Sequence, residues 1–330
     1  MSGRIFVIGA SMQGVEALRH LVERLPSNFP APILVTQHLG RGSAGYLPRI
    51  LSRAGPLPAV HPVEPEQLEP SRIYIAPPDR HMLVRPGYIQ LSDGPRENYV
   101  RPAIDPLFRS AANAYGPAVV GIVLTGELDD GAAGLLAIKD RGGITCVQDP
   151  REAYAPSMPQ AALQKVAVDY CCTLDKLSEI MIELAKDDPP ASGASKKEGL
   201  LEIECRVAEG NFSPEDWSAF QEYCRPTNFN CPDCHCPLSE INDSRMLRFR
   251  CRAGHAFSVS SLFAAQMEAR ENQLFALAGM FAEEAALAQR ILELHASAAR
   301  GASADCVADT LQRIEAAIVM LADLQRSLRD

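Results

Sequence analysis

The stretch Arg4-Ile-Phe-Val-Ile-Gly-Ala-Ser-Met-Gln-Gly-Val15 decides how this chain folds. Its first part is an uninterrupted apolar run, which is typical of a strand buried on both faces of a parallel sheet. After Ser11, apolar residues recur at helical spacing as far as Leu25. The pattern predicts a strand that turns into a helix at Ser11, and Gly14 permits a tight crossing there.

Two further apolar runs, Ile33–Thr36 and Val119–Leu124, have the same character and alternate with amphipathic stretches. This alternation predicts an α/β fold, with a doubly wound and mostly parallel sheet covered by helices. The short segments Ile73–Ala76, Met82–Arg85 and Tyr88–Leu91 are separated by Pro-Pro and Pro-Gly, which predicts an antiparallel hairpin inserted into that sheet.

Each of the three buried strands ends at a polar side chain that could take part in catalysis. These are Ser11, then His38, then either Asp129 or Asp130. Carboxyl ends of parallel strands share one edge of a sheet, and a serine nucleophile needs a base and an orienting carboxylate. Taken singly, the serine is better explained as a helix N-cap and the histidine as a hydrogen-bonded loop residue, and the two acids could also be helix caps. Three such residues at three strand ends favour a catalytic set.

Seven short motifs in this part of the chain resemble the catalytic domain of CheB-type protein-glutamate methylesterases. The resemblance covers residues 4–165, about half of the chain, and it rests on these motifs in their order: Ile8-Gly-Ala-Ser11, Gln37-His38, Ile75-Ala-Pro-Pro-Asp-Arg-His81, Arg101-Pro-Ala-Ile-Asp-Pro-Leu-Phe108, Leu124-Thr-Gly126, Asp130-Gly-Ala132 and Gln148-Asp-Pro150.

The resemblance implies Ser11 as nucleophile, His38 as base and Asp130 as the third member. It implies an oxyanion hole formed by the backbone N–H groups of Met12 and Glu127. The implied activity is hydrolysis of glutamate methyl esters, and deamidation of certain glutamines, on methyl-accepting chemoreceptors by an acyl-enzyme route that needs no cofactor. His81 and Arg101 lie in matched motifs and are candidates for the substrate mouth. The alternative for His81 is a hydrogen-bonded loop histidine, and the alternative for Arg101 is a surface salt bridge.

The chain departs from the family pattern at two positions of the site. The family usually reads Ser-Thr-Gly-Gly where this chain has Ser11-Met-Gln-Gly14, and it usually has methionine where Glu127 stands. An acidic side chain beside a forming oxyanion could slow the chemistry. The alternative function is therefore a catalytically weak or inactive binding or scaffold protein of a chemosensory-type pathway.

A dinucleotide-binding site at the first turn is disfavoured, because Gly9-Ala-Ser11 lacks the middle glycine of the G-x-G-x-x-G fingerprint. Regulated members of the family begin with a phosphoacceptor receiver domain that has no counterpart in this sequence. We therefore expect no control by phosphorylation of such a domain in the same chain.

A second group of motifs predicts a metal site. Cys231 and Cys234 supply two thiolates at C-x₂-C spacing, and Cys251 and His255 supply a second pair after a predicted strand, Met246–Arg250. Four soft or borderline ligands complete a tetrahedron, so we expect a structural zinc ion. His235 and Cys236 are competing ligands that fit the spacing less well. The alternative is a group of cysteines without metal. The segment also resembles the zinc-ribbon tails of some stand-alone methylesterase-like proteins.

Composition predicts where the protein is located, and the positions of linker-like and helical stretches predict how the chain is divided into segments. The net charge of −9 excludes general affinity for nucleic acid or anionic lipid, and no apolar run suggests membrane insertion or export, so we expect a cytoplasmic protein. The predicted segments are a catalytic domain (1–186), a flexible linker (187–199), a zinc-ribbon-like module (200–257) and a helical hairpin (258–330) that turns near Arg300-Gly301.

The hairpin carries two apolar stripes, Leu274-Leu277-Phe281-Leu287-Ile291-Leu294 and Leu311-Ile314-Ile318-Leu321-Leu324. Two helices can cover such stripes only in part, so we expect the hairpin to mediate self-association or docking to a helical partner such as the receptor. Packing of the stripe on the hydrolase domain is the alternative. The linker predicts that truncation after Asp187 leaves small-ester hydrolysis intact, and that chelation unfolds the tail alone.

Overall fold

The structure is a computed structural model that describes residues 3–40, 42–190, 199–243, 245–297 and 302–328. The strands are β1 (Ile5–Ala10), β2 (Ile33–Gln37), β3 (Ala59–Val60), β4 (Glu66–Gln67), β5 (Ile73–Ile75), β6 (His81–Arg85), β7 (Tyr88–Ser92), β8 (Val119–Val123), β9 (Ile144–Gln148), β10 (Tyr170–Cys172), β11 (Cys224–Asn230), β12 (Pro237–Ile241), β13 (Arg248–Cys251) and β14 (Ala256–Ser258). The helices are α1 (Gly14–Glu23), α2 (Leu47–Ala54), α3 (Ile104–Tyr115), α4 (Ala132–Asp140), α5 (Ser157–Lys165), α6 (Leu174–Leu184), α7 (Leu200–Ala208), α8 (Pro214–Gln221), α9 (Val259–Ser297) and α10 (Ala302–Ser327).

A seven-stranded sheet in the order β10-β9-β8-β1-β2-β5-β3 forms the centre of the catalytic segment. All of its neighbouring strands are parallel. The chain starts at β1, builds outward through β2 and β5, and returns to the other side of β1 at β8. The carboxyl ends of β1 and β8 therefore flank a topological switch point, where open α/β sheets place their sites. The predicted doubly wound fold is confirmed.

Helices cover both faces of this sheet, which explains why its strands are apolar throughout. One core cluster joins the sheet to α1, α2 and α6, and another joins it to α3, α4 and α5. Every residue of β1, β2 and β8 is buried. Burial on both faces removes the alternation that a half-exposed strand would show.

The predicted hairpin exists, but one of the three segments assigned to it lies elsewhere. Strands β6 and β7 pair antiparallel, with β4 at the edge of this small sheet. By contrast, β5 pairs parallel with β2 in the main sheet, where Ile73, Tyr74 and Ile75 are fully buried. That assignment was wrong because a three-residue apolar run carries no signal for the direction of pairing.

The segment predicted to be zinc-ribbon-like packs against the catalytic segment. It consists of α7, α8 and the four-stranded antiparallel sheet β11-β12-β13-β14. Residues Met1–Leu262 form one compact unit, and Phe263–Asp330 form a second. The domain boundaries remain predictions, and residues 191–198 of the predicted linker lie outside the described residues. The expected independence of the two segments is not what the structure shows. We refer to residues 199–262 as the C-terminal module.

A buried cluster of charged side chains joins this module to the catalytic segment. Arg250 donates to Glu97 Oε1 at 3.1 Å and to Glu204 Oε1 at 2.9 Å, and Arg109 donates to Glu97 Oε2 at 2.5 Å. All four side chains are at most 2% exposed. A second, exposed contact pairs Arg245 with Asp140. Neither contact follows from any local sequence pattern.

The second unit contains α10 and α9 from Phe263 onward. Met267 and Leu274 of α9 line one groove together with Gln325 of α10 and Leu328, which directly follows α10, so the two helices run antiparallel as predicted. The predicted turn at residues 300–301 lies outside the described residues. Several stripe residues remain exposed, among them Leu277, Leu287 and Leu324. No helix in the described part of the chain is long and apolar enough to cross a bilayer.

Candidate active site

Ser11 occupies the turn between β1 and α1, at the carboxyl edge of the central sheet. Its N–H donates to Thr125 O at 3.0 Å, which ties the turn to the segment that follows β8. A Cβ atom on Gly126 would lie 2.7 Å from the Ser11 Cβ and closer still to Met158. Glycine at 126 therefore lets the carboxyl ends of β1 and β8 approach each other. Ser11 lies half-buried at this switch point.

His38 follows β2 directly and is held beside Ser11 through the backbone. Its N–H donates to Ala10 O at 3.0 Å. The side-chain amide of Gln37 donates to Ser11 O at 2.6 Å and to His38 O at 3.0 Å, so one group fastens both turns. A Cβ on Gly14 would lie 2.1 Å from Gln37 Oε1, so glycine makes room for this amide.

The imidazole of His38 bridges Ser11 and Asp130. Its Nδ1 lies 3.0 Å from Ser11 Oγ and its Nε2 lies 2.7 Å from Asp130 Oδ2. An ionised Asp130 accepts hydrogen bonds only, so Nε2 carries the proton and Nδ1 is free to accept one from the serine. The two ring nitrogens exchange the roles they have in the chymotrypsin-type triad, while the logic of the three groups is the same. The arrangement can therefore activate the Ser11 hydroxyl as a nucleophile.

Asp130 is the most enclosed member of the three, with 3% of its side chain exposed. Besides His38, it accepts hydrogen bonds from the backbone N–H of Ile104 at 2.7 Å and of Gly131 at 3.0 Å, and from Asn98 Nδ2 at 2.9 Å. Burial opposes ionisation of this carboxyl, but the bonds from His38, Ile104 and Asn98 outweigh it and lower its pKa. Asp130 therefore stays charged and can stabilise an imidazolium ion.

The neighbouring acid, Asp129, has different partners. Its Oδ1 accepts from Ser258 Oγ at 2.5 Å, and burial raises its pKa, assisted by the charge of Asp130. Sequence reasoning left both acids open before the family resemblance was considered. The structure brings Asp130 to His38 and turns Asp129 toward the C-terminal module.

A third carboxyl, Asp105, lies against Asp130 at the start of α3. It accepts from the N–H groups of Gly131 at 3.1 Å and Gly134 at 2.7 Å, and from Asn98 Nδ2 at 3.1 Å. Burial and then the Asp130 charge raise its pKa to about 8. The pair therefore carries a single negative charge near neutral pH, and that charge resides on the carboxyl that contacts the histidine.

The predicted oxyanion donors are the backbone N–H groups of Met12 and Glu127. Within the part of the chain that the structure describes, neither N–H donates a hydrogen bond to another protein group. Free N–H groups beside a nucleophile are what a developing oxyanion requires. The Glu127 carboxylate accepts from Ser157 Oγ at 2.8 Å, so its side chain is engaged at the rim.

The two predicted substrate contacts occupy different environments. His81 is fully buried, accepts from the N–H of Ala103 at 3.2 Å and faces Pro95 O at 3.0 Å, and burial lowers its pKa. A neutral, enclosed imidazole with both nitrogens bonded does not line a substrate mouth, so the structure contradicts that role. Arg101 pairs with Asp79 at 3.1 Å, which agrees with the alternative of a salt bridge.

The predicted metal ligands converge. The ligand atoms of Cys231, Cys234, Cys251 and His255 all lie within 4.8 Å of one another. The Cys234 and Cys251 sulfurs are 3.6 Å apart, and the Cys251 sulfur is 3.6 Å from His255 Nδ1. A tetrahedral zinc ion with its usual bond lengths separates such atoms by roughly 3.5–3.8 Å. The donor set thus fits zinc, and the competing ligands His235 and Cys236 are outside this group of four.

Sequence reasoning missed Asn98, Asp105 and Gln37 as parts of the site. Asp105 and Gln37 lie in the matched motifs, but no role was assigned to them. Asn98 lies in a loop between β7 and α3, where neither periodicity nor spacing predicts the direction of a side chain. A buried amide that joins two carboxylates can be recognised only once the loops are folded.

Comparisons with known proteins show what this chain is similar to. The profile of the CheB methylesterase family matches residues 6–181, slightly more than half of the chain. A Leptospira interrogans relative is 36% identical over 189 residues, which are 57% of this chain and 98% of that protein. A protein-glutamate methylesterase/protein-glutamine glutaminase from Photorhabdus laumondii is 38% identical over 55% of this chain and 53% of its own length. The crystal structure of the Thermotoga maritima CheB methylesterase catalytic domain matches 56% of this chain and 100% of that chain, with 33% identity and a TM-score of 0.54.

Proposed function

Because the chain belongs to the CheB methylesterase family, we propose that it is a serine hydrolase that removes methyl groups from glutamate γ-esters of chemoreceptors, and that it deamidates some of their glutamines. The cytoplasm is the proposed location. The observation that carries the proposal is the pair of hydrogen bonds of His38, one to Ser11 Oγ and one to Asp130 Oδ2. A nucleophile, a base and an orienting carboxylate in contact are the minimum machinery of acyl transfer.

In the proposed mechanism, Ser11 Oγ attacks the ester carbonyl carbon while His38 Nδ1 takes the hydroxyl proton. The carbonyl oxygen becomes an oxyanion that the N–H groups of Met12 and Glu127 stabilise. Loss of one such donor typically costs about 10²–10³ in rate. The C–O bond to the methyl group's oxygen then breaks, and methanol leaves with the proton from His38. Water attacks the acyl-serine by the same route and releases the glutamate carboxylate and free Ser11.

The rim of the site supports a protein as the substrate. Met12, itself a proposed oxyanion donor, and Leu128, which follows the other donor, are apolar residues that are 49% and 41% exposed. Tyr154, which lines a groove together with Gln13 and Thr125, is 70% exposed. Exposed apolar groups around a nucleophile suit contact with a protein surface better than enclosure of a small polar molecule.

The proposal is tested with methanol release from a methylated receptor fragment and with hydrolysis of a small methyl ester. Ser11→Ala should reduce both rates by roughly 10⁴–10⁶-fold. The matched control is Ser27→Ala, an exposed serine outside the site, which should behave as wild type. Circular dichroism establishes that both variants are folded. Turnover by Ser11→Ala at the wild-type rate would remove the nucleophile assignment. A folded wild-type protein without any turnover would favour the binding or scaffold function.

We further propose that Cys231, Cys234, Cys251 and His255 hold one structural zinc ion. Two turns bring the pairs together: the N–H of Cys231 donates to Cys236 O at 2.9 Å, and the N–H of Cys251 donates to His255 O at 3.0 Å. Four protein ligands leave no open position, so the ion would stabilise the fold and take no part in the chemistry. The helical hairpin, with its exposed apolar residues, remains a proposed docking element for a helical partner or a second copy of the chain.

A further inference from the structure

Asn98 connects the proposed catalytic carboxylate to the C-terminal module. Its side chain is buried, with 8% exposed. On one side Nδ2 donates to Asp130 Oδ1 at 2.9 Å and to Asp105 Oδ2 at 3.1 Å. On the other side Oδ1 accepts from the backbone N–H of Ser258 at 3.0 Å and from Ser261 Oγ at 2.7 Å. All four hydrogen-bonding capacities of the amide are therefore used.

The orientation of this amide follows from its partners. The backbone N–H of Ser258 can only donate, so the Asn98 atom that faces it must be the oxygen. The NH₂ group then faces the two carboxyls. Turning the amide round would place a donor against a donor and an oxygen against the Asp130 charge. The C-terminal module thus determines which end of Asn98 reaches Asp130.

The groups that hold Asn98 are themselves fixed. The N–H of Asn98 donates to Ala256 O at 2.8 Å, and the N–H of Ala256 donates to Arg96 O at 3.2 Å. Ser258 and Ser261 bond reciprocally, each N–H donating to the other hydroxyl at 2.9 and 3.0 Å. Ala256 directly follows His255, so this strand begins at the cluster of metal ligands.

From this chain of contacts we propose that Asn98 is a positioning residue for Asp130 and that the Ser258–Ser261 turn of the C-terminal module holds it in that role. The inference rests on the proposed function of the Ser11, His38 and Asp130 set. It adds that full activity requires a folded C-terminal module, because two of the four bonds that fix the Asn98 amide come from that module. Asn98 itself contacts no substrate and acts only through Asp130.

A structural role for Asn98 has its own explanation and needs its own control. Its φ of 51° lies in the left-handed region, which asparagine tolerates better than most residues. Glycine adopts this conformation without strain, so Asn98→Gly keeps the turn and removes only the amide. If conformation were the sole reason for asparagine, Asn98→Gly would be as active as wild type.

The test uses the full-length protein and three variants, Asn98→Gly, Ser261→Ala and the control Ser218→Ala. Ser218 belongs to the same module, and among the described residues its hydroxyl bonds only Pro214 O on its own helix. Hydrolysis of a small methyl ester is measured together with the low-field proton resonance of the His38–Asp130 hydrogen bond. We expect kcat to fall about 10–100-fold for Asn98→Gly and roughly 3–10-fold for Ser261→Ala, with KM unchanged. The resonance should shift or disappear in both variants, and Ser218→Ala should match wild type.

Two results would overturn the inference: wild-type kcat in both Asn98→Gly and Ser261→Ala, or a lowered kcat with the resonance unchanged. The milder Ser261→Ala variant decides the matter if Asn98→Gly fails to fold. An inactive wild-type protein would refute the proposed function instead. In that case the resonance alone tests whether Asn98 positions Asp130.

Discussion

Arg250 is the side chain whose replacement tests the docking of the C-terminal module most directly. It is fully buried and donates to Gly254 O at 2.8 Å as well as to Glu97 and Glu204. Arg250→Met keeps much of the apolar stem but removes the charge and the donors. Glu97 would keep Arg109, and Glu204 would keep Arg248 at 2.7 Å. Removal of one partner from a buried ion pair typically costs about 3–5 kcal/mol of unfolding free energy when the other charge is left unpaired. Because both carboxylates keep a second guanidinium, we expect Arg250→Met to cost no more than the lower end of this range.

Arg245→Met is a matched control. Arg245 also bridges the module and the catalytic segment, through Asp140 at 2.7 Å, but the two side chains are 51% and 45% exposed. An exposed ion pair contributes at most about 1 kcal/mol. The two variants therefore remove the same kind of residue from the same interface, and burial is the main difference.

Urea unfolding distinguishes the variants and also tests whether the two segments unfold together. Trp217 of α8 is the sole tryptophan, so its fluorescence reports on the module. Hydrogen exchange in β1 and β2 reports on the catalytic segment. We expect coincident transitions in wild type and a larger loss of stability for Arg250→Met than for Arg245→Met. Equal losses, or a Trp217 transition that precedes exchange in the sheet, would refute the reasoning.

The same cluster makes stability depend on pH. Burial alone would raise the pKa values of Glu97 and Glu204, but the guanidinium groups around them, Arg109 and Arg250 among them, outweigh burial and lower both. A lowered folded-state pKa contributes stability above the unfolded value of about 4.3. That contribution is lost as the pH falls through and below this value. Arg250→Met weakens the shift, so its stability should fall less than that of wild type between neutral pH and pH about 3.

The other predictions concern the catalytic aspartate and the metal site. Asp130→Asn should lower kcat about 10⁴-fold, because an amide at this position favours the wrong tautomer of His38. Asp129→Asn should lower kcat less than about tenfold. Steady-state kinetics of the two variants checks the assignment, and a larger loss of kcat in Asp129→Asn would show that it is wrong. Purified, reduced protein should hold about one zinc ion per chain by elemental analysis. Cys251→Ser should lose that ion while Cys236→Ser keeps it, and equal metal contents in the two variants would contradict the ligand set.

The fold and the positions of Ser11 and His38 could be predicted because both follow from the uninterrupted apolar runs of the strands. An uninterrupted apolar strand indicates a parallel sheet, and a parallel sheet gathers its carboxyl ends at one edge. The choice between Asp129 and Asp130 had no such basis. Positive φ angles at Leu128 and Gly131 determine where these side chains point, and loop dihedrals leave no periodic trace in the sequence.

The expectation for His81 failed for a related reason. It follows a Pro-Pro turn, which indicates a loop, yet it is the first residue of β6 and lies in the core. The first four residues of β6 are buried, so no polar alternation marks which side chains point inward. A histidine with both ring nitrogens bonded is compatible with such burial, and a sequence does not show whether its bonding partners are present.

The integration of the C-terminal module is the largest difference between sequence and structure, and it reverses the expectation that truncation after Asp187 leaves hydrolysis intact. A flexible linker predicts that the two segments it joins fold independently only when few contacts are made between those segments. Here truncation would remove both bonds to Asn98 Oδ1 and the Arg250 partner of Glu97. The module is bonded to Asn98, the proposed positioning residue for Asp130, so its removal should impair catalysis.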